Sequence, residues 1–177
     1  MLLREVEYAK PAAVAEAVAL LAENEGARAL AGGQTLINVM KARAASPDML
    51  VDLNGIAELK GIELASNGTL TIGPMTTYSE ILASAEAKAR PILGQVCAHI
   101  ADVQVRNRGT IGGNVCANDP TNHLPPLLSA IGAQMTITGR GGERVVPAED
   151  FFLGVYMTAV GQGELLTAIT IPAGKGD

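Results

Sequence analysis

A chain of 177 residues with 48% hydrophobic and 18% charged content has the apolar mass for one globular core, so one domain, with room for two lobes, is expected. A net charge of -5 without a run of lysines or arginines excludes a nucleic-acid backbone as partner and leaves small anions as the charged guests to look for. No uninterrupted apolar run nears the roughly 20 residues that cross a bilayer, and MLLREVEY lacks a hydrophobic signal core, so a soluble, cytoplasmic protein with no membrane span is expected.

In chain order, Val14, Val18 and Leu21 fall at helical spacing within Pro11 to Asn24, and Gly26 is the expected stop. Arg28 to Ala31 reads as a short strand, Gly32 to Thr35 as a turn and LINVMKAR as a short helix. Leu50 to Leu53 is a second strand after the turn at Ser46-Pro47-Asp48, giving a strand-helix-strand unit with its first loop at a strand's carboxyl end. GIELAS and TLTIG around Asn67-Gly68 predict an antiparallel hairpin. Helices are predicted at Thr77 to Ala83, Pro91 to Ile100 and over LPPLLSAIGA from Leu124. QMTITG and ERVVP then form a second hairpin across Gly139 to Gly142, and GELLTAITIP is a last strand, after which Gly174 to Asp177 adds no closing element. Parallel strand-helix units in front and antiparallel strands behind predict an α+β fold of two lobes, with a ligand cleft between them.

Two glycine pairs mark that cleft. Gly32-Gly33 sits where strand, turn and helix start aim free N–H groups at an anion. Val105 to Pro126, with two arginines, Gly112-Gly113 and a polar run, reads as a loop too poor in apolar residues to be core. Its glycines are expected to turn with positive φ and bring amides close to a phosphate. Each feature also has a plain structural reading: a tight turn for the glycines, a local cap for Thr110 and Asn114, surface ion pairs for Arg106 and Arg108. His123 has polar neighbours suited to ligand contact, whereas His99 falls on a helix face. Cys97 and Cys116, without CxxC spacing or paired histidines, argue against zinc or iron-sulfur ligation and are expected as reduced, partly buried thiols. With 3% aromatic residues and no Trp, a bound planar ring must rest on aliphatic side chains and backbone. No acid/base pair or nucleophile constellation emerges, so the chain reads as one that binds a reactive cofactor.

AGGQTLINVMK (Ala31 to Lys41) and VRNRGTIGGN (Val105 to Asn114), with VDLNGI between them and FFLGVYMT (Phe151 to Thr158) after, resemble the FAD-binding medium subunit of molybdenum hydroxylases, the family of carbon monoxide and xanthine dehydrogenases. The resemblance implies a two-lobed FAD-binding domain of the PCMH type, with a small parallel lobe over about 1–55 and a larger, mainly antiparallel lobe over about 56–177. The C-terminal domain with which family subunits continue is not in this sequence. FAD contacts are implied at Ala31, Gly32, Gly33, Gln34, Thr35 and Leu36, and at Thr110, Ile111, Gly112, Gly113 and Asn114, both loops wrapping the diphosphate with backbone amides. Ile100 and Leu166 are implied beside the flavin, and His123 stands where the family usually has an aspartate that hydrogen-bonds FAD. The implied partners are a large molybdenum-cofactor subunit and a small iron-sulfur subunit, from which FAD passes electrons to an external acceptor. The alternative is an assembly domain of the same fold that no longer holds FAD.

Overall fold

In the computed structural model, which describes residues 3–174, the predicted first helix is α1 (Val14–Glu23). It buries Ala17, Val18 and Leu21, as the spacing requires, and ends through Asn24 before Gly26 is reached. Gly26 lies beyond the helix, against the exposed side chain of Asp48. The predicted unit follows as β2 (Ala27–Leu30), α2 (Leu36–Lys41) and β3 (Met49–Asp52), with β2 and β3 parallel. A third strand, β1 (Glu7–Ala9), pairs in parallel with the far side of β3 and gives the order β1-β3-β2. Sequence reading missed it because three residues are too few to show alternation. Parallel pairing brings the carboxyl ends of β2 and β3 to one edge, where Ala31 and Asp52 emerge.

The larger sheet is antiparallel and runs in the order β4-β5-β10-β6-β7. Both predicted hairpins are present: β4 (Ile62–Leu64) with β5 (Leu70–Ile72), and β6 (Gln134–Gly139) with β7 (Gly142–Pro147). Gly68 turns the first at φ 83°, a conformation that a side chain resists. The last strand, β10 (Leu165–Ile171), is central, inserted between β5 and β6. Leu165, Leu166, Ile169 and Ile171 are therefore buried. The sheet is complete only when the end of the described chain has folded back into it. The sequence beyond Gly174 in the predicted tail lies outside the described residues.

Helices α3 (Tyr78–Ala83), α4 (Pro91–His99), α7 (Leu124–Ala130) and α8 (Ala148–Phe151) contribute to the core on this sheet. Thr77 and Glu80 close a capping box at the start of α3, which satisfies two N–H groups the helix leaves open. Leu93, Leu124, Leu128 and Phe151 meet Met135, Ile137 and Ile169 in one fully buried cluster. A second cluster joins Ala17, Val18 and Leu21 to Val51, Ile56, Leu59, Met75 and Leu165, so both sheets share in burying α1. FFLGVYMT supplies the end of α8 and a small hairpin of β8 (Phe152–Gly154) and β9 (Met157–Thr158), with Tyr156 at φ 57°. The α+β class and the pairing of a small parallel with a larger antiparallel sheet agree with the sequence reading.

Val105 to Pro126 departs from it. The segment is no single loop: it holds the end of α5 (Val103–Arg106), all of α6 (Ile111–Ala117) and the start of α7. Ile111 and Val115, one helical turn apart, are fully buried, so the stretch does feed the core. Gly112 and Gly113 lie in the first turn of α6 and do not have positive φ.

Candidate functional site

At the carboxyl end of β2 the chain enters Ala31 to Thr35, and Gly33 turns it at φ 73° into α2. The backbone N–H groups of Gly32, Gly33, Gln34 and Thr35 find no acceptor among the described residues. Four consecutive open amides at a helix start form a concave set of donors suited to a phosphate oxygen. They border a cleft of about 420 Å³ lined by Ala31, Gly32, Gly33, Gln34, Ile37 and Asn38, with Tyr8, Lys41, Asp52, Asn54 and Arg108 around them. Arg108 and Lys41 are exposed cations without an ion-pair partner among the described residues, so the charge of the rim favours an anion.

A polar network stands behind the loop. Asp52 is 7% exposed and accepts hydrogen bonds from the Tyr8 hydroxyl, from the Asn54 backbone amide at 2.9 Å and from Asn54 Nδ2 at 2.6 Å. Burial of the Asp52 carboxyl works against ionisation, but these bonds and the nearby Lys10 charge prevail and hold its pKa below the ordinary value. Asn54 Nδ2 also donates to the carbonyl of Ala31 at 3.2 Å, and the Asn54 carbonyl accepts from Lys60 Nζ at 2.9 Å. Asp52 and Asn54 belong to VDLNGI, but no role for them was read from the sequence. A D-x-N pair directly after an apolar strand was the available signal, since Asp52 caps the following turn, Leu53–Gly55.

The second glycine pair meets the first. Gly32 packs so tightly on the backbone of the other segment that a Cβ would lie 2.0 Å from the Arg108 carbonyl oxygen. A Cβ on Gly113 would be 3.6 Å from that of Ala31. The expected amide donors of this stretch are, however, already engaged. Ile111 N donates to Thr76 O, Gly112 N to Pro74 O, Gly113 N to Thr110 Oγ1 and Asn114 N to Thr110 O. A helix rather than a positive-φ turn accounts for this, and Gly112 serves close approach. A Cβ on Gly112 would be 2.4 Å from Pro74 Cβ and 2.6 Å from Pro74 O. What α6 leaves open is a side chain: Oδ1 of Asn114 is buried without a partner among the described residues.

The other candidates are distributed differently. Thr110 is the N-cap of α6, its hydroxyl spent on Gly113. Thr35 and Leu36 begin α2. Ile100, half-buried, and Leu166, buried in β10, both pack in the core on the larger sheet. His123 is exposed at the N-cap position of α7 and makes no capping bond, while His99 bonds the Gln95 carbonyl at 2.8 Å along its own helix. Arg106 has no ion-pair partner among the described residues, and its guanidinium donates to the carbonyls of Ile100 and Ala101. The polar run after α6 bonds mostly to itself and to the β8–β9 hairpin: Asp119 accepts from Thr121 and Tyr156, and Asn118 donates to the Gly154 and Met157 carbonyls. Cys97 is buried and Cys116 exposed, both as free thiols.

Residues 4–174 match the family described as the FAD binding domain in molybdopterin dehydrogenase. The carbon monoxide dehydrogenase medium chain of Afipia carboxidovorans is 47% identical over 169 residues, covering 94% of this chain and 58% of that one. The xanthine dehydrogenase FAD-binding subunit of Escherichia coli O157:H7 is 33% identical over 168 residues, covering 93% and 57%. Among solved structures, carbon monoxide dehydrogenase from Hydrogenophaga pseudoflava superposes with a TM-score of 0.96 at 43% identity, over 99% of this chain and 62% of that one. Quinoline 2-oxidoreductase from Pseudomonas putida 86 does so with a TM-score of 0.96 at 36% identity, over 99% and 61%. The chain thus spans about six-tenths of the length of these relatives. With a strand-end loop of open amides packed against a glycine-bearing helix, and this match over nearly all its residues, the chain belongs to the family of FAD-binding domains of molybdopterin dehydrogenases.

Proposed function

We propose that the chain is the flavoprotein module of a molybdenum hydroxylase, holding FAD against the Ala31–Leu36 loop and the Thr110–Asn114 helix start. The observation that carries this reading is the run of four open amides at Gly32, Gly33, Gln34 and Thr35, an electropositive cradle that fits a diphosphate. Arg108 and Lys41 at its rim add full positive charges for the same anion. On the α6 side the fit is different, and Asn114 Oδ1 is the group with unused bonding capacity there. Half-buried Ile100 and buried Leu166 are proposed behind the flavin ring, and the exposed imidazole of His123 as a polar contact of the cofactor.

Bound FAD would supply two-electron and one-electron redox chemistry. This chain's residues would bind and orient it between a partner's iron-sulfur centres and an external acceptor. The molybdenum site at which substrate is hydroxylated would belong to a large subunit, and the iron-sulfur centres to a small one. Purification of the tagged chain from its own cells tests the assembly. Two partners, one carrying molybdenum and one carrying iron and acid-labile sulfide, are expected in stoichiometric amount, and recovery of the chain with FAD but without either would refute the complex.

A further inference from the structure

We infer that Asn54, held by Asp52 and Tyr8, is a positioning residue that sets the pose of the first glycine loop, so that it governs through the loop how the diphosphate end of the cofactor is held. The inference rests on the reading of this loop as the FAD diphosphate site. Asn54 is fixed on every side: its backbone amide and Nδ2 both go to Asp52 Oδ1, its carbonyl accepts from Lys60 Nζ, and the Tyr8 hydroxyl holds the other oxygen of Asp52. The remaining bond, Asn54 Nδ2 to the Ala31 carbonyl at 3.2 Å, links this rigid group to the residue that precedes Gly32. On its other side the loop abuts the Arg108–Gly109 backbone, with a virtual Gly32 Cβ 2.0 Å from the Arg108 carbonyl oxygen and 2.9 Å from Gly109 Cα. Between these contacts, Gly32 to Thr35 have no backbone hydrogen bond through their N–H groups. The loop's carbonyls are bonded locally, Gly33 and Thr35 to amides of α2, Gly32 to Gln34 Nε2 and Gln34 to Asn38 Nδ2, and Asn54 is the side-chain anchor that reaches it from outside the loop and α2. Three elements contribute to it: β1 through Tyr8, the end of β3 through Asp52 and the turn Leu53–Gly55 through Asn54. The role follows from this juxtaposition, because each of these side chains lines the cleft that the loop borders.

The test uses the full chain and its variants Asn54→Ala and Tyr8→Phe, with two readouts. In ligand-free protein, the amide resonances of Gly32, Gly33 and Gln34 should shift in N54A and, less strongly, in Y8F, while those of β10 stay in place. In competition against FAD, the inhibition constant of ADP should rise about tenfold in N54A and that of riboflavin should change less than twofold. ADP carries the diphosphate and riboflavin only the ring and ribityl chain. Loop resonances that do not move overturn the inference, whatever FAD does. So does a parallel weakening of ADP and riboflavin with a fallen Tm, which would mean general loss of structure. Loop resonances that move in a protein that never binds FAD would uphold the brace and remove the cofactor reading instead.

Discussion

Replacing Gly32 with alanine puts the joint between the two segments under direct strain. The new Cβ would begin 2.0 Å from the Arg108 carbonyl oxygen, 2.8 Å from its carbon and 2.9 Å from Gly109 Cα. A carbon and a carbonyl oxygen in contact sit at roughly 3.3–3.6 Å, so the overlap is about 1.3 Å against backbone atoms that cannot rotate away. Such overpacking costs about 1–3 kcal/mol. The loop is half-exposed and its amides are unbonded, so the unliganded protein relieves the clash by moving it outward, and Tm should change little. Binding FAD pulls the loop back, and the cost then falls on affinity, roughly 5- to 150-fold in Kd. Fluorescence titration of FAD, with Tm from thermal denaturation alongside, reads both quantities. A Kd within twofold of the unaltered protein would refute the claim that this joint shapes the site.

Gly112→Ala makes a contrasting case, because its clash with Pro74 lies inside the fold and α6 cannot swing away; a stability loss of about 1–3 kcal/mol should appear in denaturant melts without ligand. Phe151→Ala empties the centre of the larger core, where Phe151 has no exposed surface, and should cost about 3–5 kcal/mol by the same measurement. Asp52 supplies a pH dependence of definite sign. Its folded pKa lies below the ordinary 3.8, so its contribution to stability is complete above that value and is lost as pH falls through the lower folded one. Denaturant midpoints followed from neutral to strongly acid pH should therefore fall more shallowly on the acid side in Asp52→Asn than in the unaltered protein, and equal slopes would contradict this.

Much of the fold could be read from the sequence where a local signal is strong. Asn67-Gly68 marked the first hairpin and the 3.6-residue spacing of Val14, Val18 and Leu21 marked α1, because both depend on neighbours in sequence. The Ala31–Thr35 loop was legible for the same reason: strand, glycine turn and helix start adjoin. α6 was not, since a glycine pair and a polar flank outweighed the two apolar residues, Ile111 and Val115, that give it a buried face. Gly112 is explained by Pro74, far away in sequence, and no local pattern reports that contact. β1 was too short to leave a pattern, and with it went Tyr8. The brace of Tyr8, Asp52 and Asn54 on Ala31 spans residues from three parts of the chain, so only the folded structure brings it into view.

The chain is proposed to hold FAD against the loop of open amides. Titration of FAD into the full chain, in its complex where partners accompany it, with the visible flavin spectrum recorded at each addition, tests this most directly. Saturation at one FAD per chain is expected, with a shifted, structured absorbance band and with binding weakened by Gly32→Ala at unchanged Tm. A folded protein, shown to be so by its melting transition, that leaves the flavin spectrum identical to that of free FAD would contradict it.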